Sequence, residues 1–227
     1  MIHFIMGPKG GVGKSFFALT LINYLKNSVY LIDTDKSNPD VYKASMSDGK
    51  SKLLDSIALD MSSLSGNGDF ITYVSEHLDA DIVVNGRASN DDALDEYFDM
   101  IIEASDILEK PITLWWVIND QKDSVILLKK FLDKYSEYAI NLHVVLNKFF
   151  GNPDDFEYIN SKLSAIVKNR NGHEIVMTEL PIGIRNQLYN NRMLFSEIQK
   201  DGIVADKIIV NRFMRDISDQ LVKVILN

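Results

Sequence analysis

Lys9-Gly10-Gly11-Val12-Gly13-Lys14-Ser15 carries the residue types needed to hold a phosphate chain. Glycine lets consecutive backbone N–H groups turn inward without Cβ clashes, Lys14 supplies a cation for the β- and γ-phosphates, and the Ser15 hydroxyl suits a magnesium ion. An apolar run at 2–6 precedes the stretch and a helical pattern over 16–25 follows it, so the order is strand, phosphate loop, helix. The spacing predicts a nucleoside triphosphate and its Mg²⁺ bound along Gly10, Gly11, Val12, Gly13, Lys14, Ser15 and Phe16. Two more groups fall at the ends of apolar runs. Asp33 and Asp35 follow 29–32, and Asn85 follows 82–84. An amide at 85 can accept from a metal-bound water but contributes no negative charge, which predicts weaker Mg²⁺ binding and slow hydrolysis. Asp91 or Asp92 is the alternative source of an acid, Gly86 offers an N–H to a phosphate, and Arg87 is either a positive charge there or a surface residue.

Placing these groups together requires a scaffold that brings strand ends to one edge. Short apolar runs recur at 2–6, 29–32, 82–84, 112–118 and 142–146, with a further strand at 174–177. Helical patterns at 16–25, 91–107, 123–135 and 154–169 lie between them. Runs that are apolar throughout suit strands buried on both faces, so the expected fold is three-layer α/β, a mainly parallel central sheet flanked by helices, with ligands at the carboxyl ends of the strands. Segment 45–68 predicts a short helix with flexible shoulders. Trp115 and Trp116 alternate to opposite faces as packing residues, and Val210, Phe213, Met214, Ile217 and Leu221 predict an amphipathic closing helix.

The K-G-G-x-G-K-S stretch, with Pro8 where the first glycine of the common loop stands, resembles the deviant Walker A motif of the ParA/MinD family of P-loop ATPases. The resemblance implies catalytic roles for Lys9, Lys14 and Asp35. Lys14 grips its own chain's nucleotide, Lys9 reaches the partner's α- and γ-phosphates, and Asp35 positions the attacking water. It further implies metal roles for Ser15, for Asp33 through the outer hydration shell, and for Asn85 through water, where the family carries an acid. Asn147-Lys148 and the Leu180-Pro181-Ile182 loop resemble the family's base-binding segments, and Phe150 stands where a guanine-reading Asp would be, which favours ATP over GTP. The implied activity is weak Mg²⁺-dependent ATP hydrolysis driving an ATP-dependent homodimer. With a protein partner or activator, such a dimer positions or transmits cargo such as plasmid DNA or conjugation machinery. The alternative is a nucleotide-dependent scaffold with little or no hydrolysis, because of Asn85. A metabolic kinase would need an acceptor motif, and none is apparent.

At 227 residues and 46% hydrophobic, the chain fits one P-loop ATPase domain over 1–227. Without cysteine there are no disulfides or thiolate metal sites, and His3, His77, His143 and His173 are too dispersed for a local metal motif. No apolar run is long enough to span a bilayer and no signal peptide is visible, which predicts a cytoplasmic protein with no stable membrane anchor. A net charge of −8 disfavours DNA binding over the whole surface while leaving room for a basic patch at Lys162, Lys168, Arg170, Lys207, Arg212 and Arg215.

Overall fold

The computed structural model describes residues 1–225 apart from Lys9, Ser37, 88–92 and Ala139, and gives the backbone alone for 93–96. Along the chain come β1 (Ile2–Met6), α1 (Lys14–Tyr24), β2 (Val29–Asp33), α2 (Asp40–Ser45), β3 (Met46–Ser47), β4 (Lys50–Ser51), β5 (Asp55–Ala58) and α3 (Leu64–Glu76). Then follow β6 (Asp81–Asn85), α4 (Ala93–Ile107), β7 (Ile112–Ile118), α5 (Lys122–Lys134), β8 (Asn141–Asn147), α6 (Lys162–Asn169), β9 (Glu174–Met177), α7 (Ile182–Tyr189), α8 (Phe195–Asp201) and α9 (Val204–Ile225). Seven strands form one sheet in the order β5-β2-β6-β1-β7-β8-β9, all pairings parallel, and β3 and β4 make a small separate hairpin.

Every residue of β1 and β7 is buried, which is why these strands read as apolar without alternation. Successive side chains still divide between two cores. Ile5, Val83, Trp115, Val117 and Val145 pack with α1, α8 and α9, whereas Phe4, Val84, Trp116, Ile118 and Leu146 face Phe70, Phe98 and Leu128 from α3, α4 and α5. Within α9, Val210, Phe213, Met214, Ile217 and Leu221 form the buried stripe, so this amphipathic helix closes the first core. Among the described residues, no helix is long and apolar enough to cross a membrane.

Two segments depart from expectation. In place of a single short helix, 45–68 holds the β3–β4 hairpin, the edge strand β5 and the start of α3. Asp55–Ala58 pairs along β2, and the Ser45, Ser51 and Ser56 hydroxyls bond to one another beneath the hairpin. The helix expected over 154–169 begins only at Lys162. Pro153–Asp155 is one 3₁₀ turn, Phe156 leaves it in extended conformation, and Phe156 and Tyr158 are drawn fully into the core before Ser161 caps α6 through the Leu163 N–H at 3.2 Å.

At the opposite edge from the phosphate loop, the Trp115 indole N–H donates to His3 Nδ1 at 3.3 Å, and His143 Nδ1 accepts the His173 N–H at 3.1 Å. Burial, with smaller effects from His173 and His3, lowers the His143 pKa to about 4. Native His143 therefore stays neutral while the unfolded chain protonates near 6.5, so the unfolded state binds more protons between these values. Stability is fully present above pH 6.5 and falls as pH drops toward 4. Unfolding free energies from urea titrations should decline by about 2 kcal/mol from pH 7.5 to 5, and His143→Gln should flatten that decline. An unchanged pH slope in the variant contradicts this assignment.

Candidate functional site

The loop after β1 ends at Gly13, whose φ of 107° and ψ of 16° lie in the left-handed region that glycine accepts without strain. A Cβ here would also lie 2.4 Å from Asn147 Nδ2. That amide donates to the Val12 carbonyl at 2.8 Å, tying the phosphate loop to the carboxyl end of β8. Lys14 opens α1, so its cation and the backbone N–H groups of the first turn share one end of a helix whose dipole favours an anion. Burial lowers the Lys14 ammonium pKa to about 8, opposed by the Asp35 charge. Phe16 then packs on Phe195 and Phe213 at 5.8 and 5.5 Å between centroids, fixing the helix from behind.

Across from this helix start, the register pairs Asp33 with Asn85 at the ends of β2 and β6. Asp33 is fully buried. Its Oδ2 accepts the N–H groups of Val41 and Tyr42 at 3.1 and 3.0 Å, and its Oδ1 accepts the Asp35 N–H at 3.2 Å and Asn85 Nδ2 at 3.0 Å. Burial raises the Asp33 pKa and these four hydrogen bonds oppose the rise. Both carboxylate oxygens are thus engaged in capping α2 and holding Asn85. The Asn85 amide also reaches Ser15 Oγ at 3.4 Å, and its buried Oδ1 has no partner among the described residues. Gly86 lines the cleft between these residues and the helix start, where its N–H donates to the Ile5 carbonyl at 2.9 Å and a Cβ would sit 2.3 Å from the same oxygen. The exposed Arg87 is held through its N–H to Thr34 Oγ1 at 2.8 Å.

A cleft of about 330 Å³ runs between the two sides, bringing together Gly10, Gly11, Gly13, Lys14, Ser15, Asp35 and Asn85. Asn38, Asp40 and Tyr189 also line it, contributions that no short motif announces. Thr34 escapes sequence reading too. Its backbone N–H and hydroxyl both donate to the Asn85 carbonyl, at 3.0 and 3.1 Å, and clasp the end of β6. Lys9, Asp91 and Asp92 lie outside the described residues.

Beside the loop, Gly11, Gly13, Phe16 and Asn147 meet Phe149, Thr178, Leu180 and Arg185 around a second cavity of about 120 Å³. Of the segments expected to meet a base, Asn147 lines this cavity, and exposed Lys148 begins a 3₁₀ turn. Pro181 and Ile182 open α7 and are exposed, while Leu180 and Arg185 on either side supply the wall. Of the late basic residues, Lys168 pairs with Glu174 at 3.0 Å and Arg170 donates to the Ser136 carbonyl at 3.5 Å.

The chain is similar to known proteins in sequence and in fold. Protein MobD of Acidithiobacillus ferrooxidans is 30% identical over 219 residues, covering 95% of this chain and 93% of that protein. The MinD cell division protein of Aquifex aeolicus superposes with a TM-score of 0.57 at 19% identity, over 98% of this chain and 96% of that one, so the fold is shared. A nucleotide-binding protein of Archaeoglobus fulgidus in complex with ADP gives a TM-score of 0.49 at 15% identity, over 81% and 84% of the two chains. Residues 3–223 match the CobQ/CobB/MinD/ParA nucleotide binding domain, and the chain belongs to that family.

Proposed function

We propose that this chain is an ATP-binding, slowly ATP-hydrolysing dimerisation switch of ParA/MinD type, acting as one P-loop domain to position or transmit cargo such as plasmid DNA or conjugation machinery. The observation that carries the reading is the glycine-started N-terminus of α1, which presents Lys14 and Ser15 to a cleft walled by Asp35 and Asn85. The fit to Mg²⁺·ATP rests on the orphaned Asn85 Oδ1, a buried acceptor beside Ser15 suited to a metal-bound water. When bound, Mg²⁺ would offset charge on the phosphate chain. Ser15 and Asn85 would hold its shell, with Asp33 acting through Asn85, while Lys14 grips the phosphates and Asp35 orients water. Lys9 would reach the partner's nucleotide, and a protein partner would trigger turnover in the cytoplasm.

The amide at 85 favours a second reading, a scaffold whose nucleotide-bound dimer persists. Light scattering of the full chain with and without Mg²⁺·ATP separates the two. The switch predicts a monomer that becomes a dimer with ATP and reverts as nucleotide is consumed, and the scaffold predicts a lasting dimer. No change in mass despite ATP binding removes the dimer from the proposal.

A further inference from the structure

The second cavity assigns a recognition mode to the base. Asn147 is 6% exposed and engaged at both ends: Nδ2 holds the Val12 carbonyl at 2.8 Å and Oδ1 accepts the Phe149 N–H at 3.2 Å. Its amide therefore secures the phosphate loop and orients the next turn. The adjoining wall offers flat surfaces. Phe149 is 47% exposed, large for an aromatic ring, and the Arg185 guanidinium lies 4.7 Å from its centroid. Arg185 Nε is buried with no hydrogen-bond partner among the described residues, and the contact with the Phe149 ring helps hold this side chain over the cavity.

Resting on the nucleotide reading above, we propose that Phe149 is the stacking platform for the nucleobase, with Arg185 covering the ring in the free protein and packing on the base's far side once it is bound. Both surfaces are planar, and stacking accepts any π-face in proportion to its area. Stacking then favours purine over pyrimidine, and Asn147 is a positioning residue that couples the platform to the phosphate loop.

Equilibrium affinities of the full chain for ATP, GTP, UTP and inorganic tripolyphosphate test this. UTP should bind about tenfold more weakly than ATP. Phe149→Ala should weaken ATP by about tenfold, down to the level of UTP, and lower GTP by the same factor, Phe149→Trp should restore both, and tripolyphosphate, which has no base, should bind all three proteins alike. Normal ATP affinity in Phe149→Ala overturns the proposal, and so does a loss of tripolyphosphate binding that matches the loss of ATP. Failure of every triphosphate, tripolyphosphate included, to bind the unaltered chain overturns the nucleotide reading itself and is thereby distinguishable.

Discussion

Lys14→Gln will lower affinity for Mg²⁺·ATP by about 100-fold, because a charged hydrogen bond to phosphate in a partly desolvated site contributes roughly 2–3 kcal/mol. The same substitution will raise the melting temperature of the nucleotide-free protein. Lys14 is 6% exposed, and burial brings its pKa down to about 8 despite the neighbouring Asp35, so the fold disfavours the cation it carries. Between pH 8 and 10.5 the native lysine has released a proton that the unfolded chain still binds. Stability therefore rises with pH across that window on account of this residue, and the glutamine variant loses the rise. Calorimetric titration with nucleotide and urea midpoints at pH 7.5 and 9.5 check the two halves. Wild-type affinity in the variant would sink the first, and parallel pH slopes the second.

Asn85→Asp will have opposite effects in the presence and absence of metal. Asn85 Nδ2 now donates to Asp33 Oδ1 at 3.0 Å, and a carboxylate there removes the donor and sets a second acid against a buried one whose pKa burial already raises. Without metal the variant should lose roughly 3–4 kcal/mol at pH 7.5, or keep a proton shared between the two carboxyls and recover as pH falls toward 5. Mg²⁺·ATP should restore its melting temperature and increase phosphate release by about tenfold over the parent chain. Thermal melts with and without Mg²⁺, alongside phosphate release, read both. A variant as stable as the parent without metal would show that 33 and 85 are not coupled, and unchanged turnover would favour the scaffold.

The phosphate loop and six of the sheet's seven strands were legible in the sequence because each has a strong local signal: glycine spacing in one case, unbroken apolar runs in the others. β5 was not, since Asp55-Ser56-Ile57-Ala58 pairs only along β2 and needs no apolar run to sit at an edge. Residues 154–161 look helical by composition, yet burial of Phe156 and Tyr158 outweighs that local preference. At the site, the type and place of Asn85 could be read, but not that Asp33 already has four donors. These come from 35, 41, 42 and 85, and only the tertiary fold brings them to one carboxylate. Phe149 was hidden for a similar reason, because its partner Arg185 lies on a later helix.

The strand order also bears on how the chain is made. β1, which launches the phosphate loop, lies between β6 and β7, with Ile2 opposite both Ile82 and Ile112. Because synthesis runs from the N- to the C-terminus, β1 is made before either of these sheet neighbours and stays unpaired until the polypeptide has grown past them. Asn147, which pins Val12, emerges later still. The nucleotide cradle is thus begun before β6 and β7 and assembled after them, so a ribosome-bound chain truncated before β6 should expose the apolar β1 to chaperones.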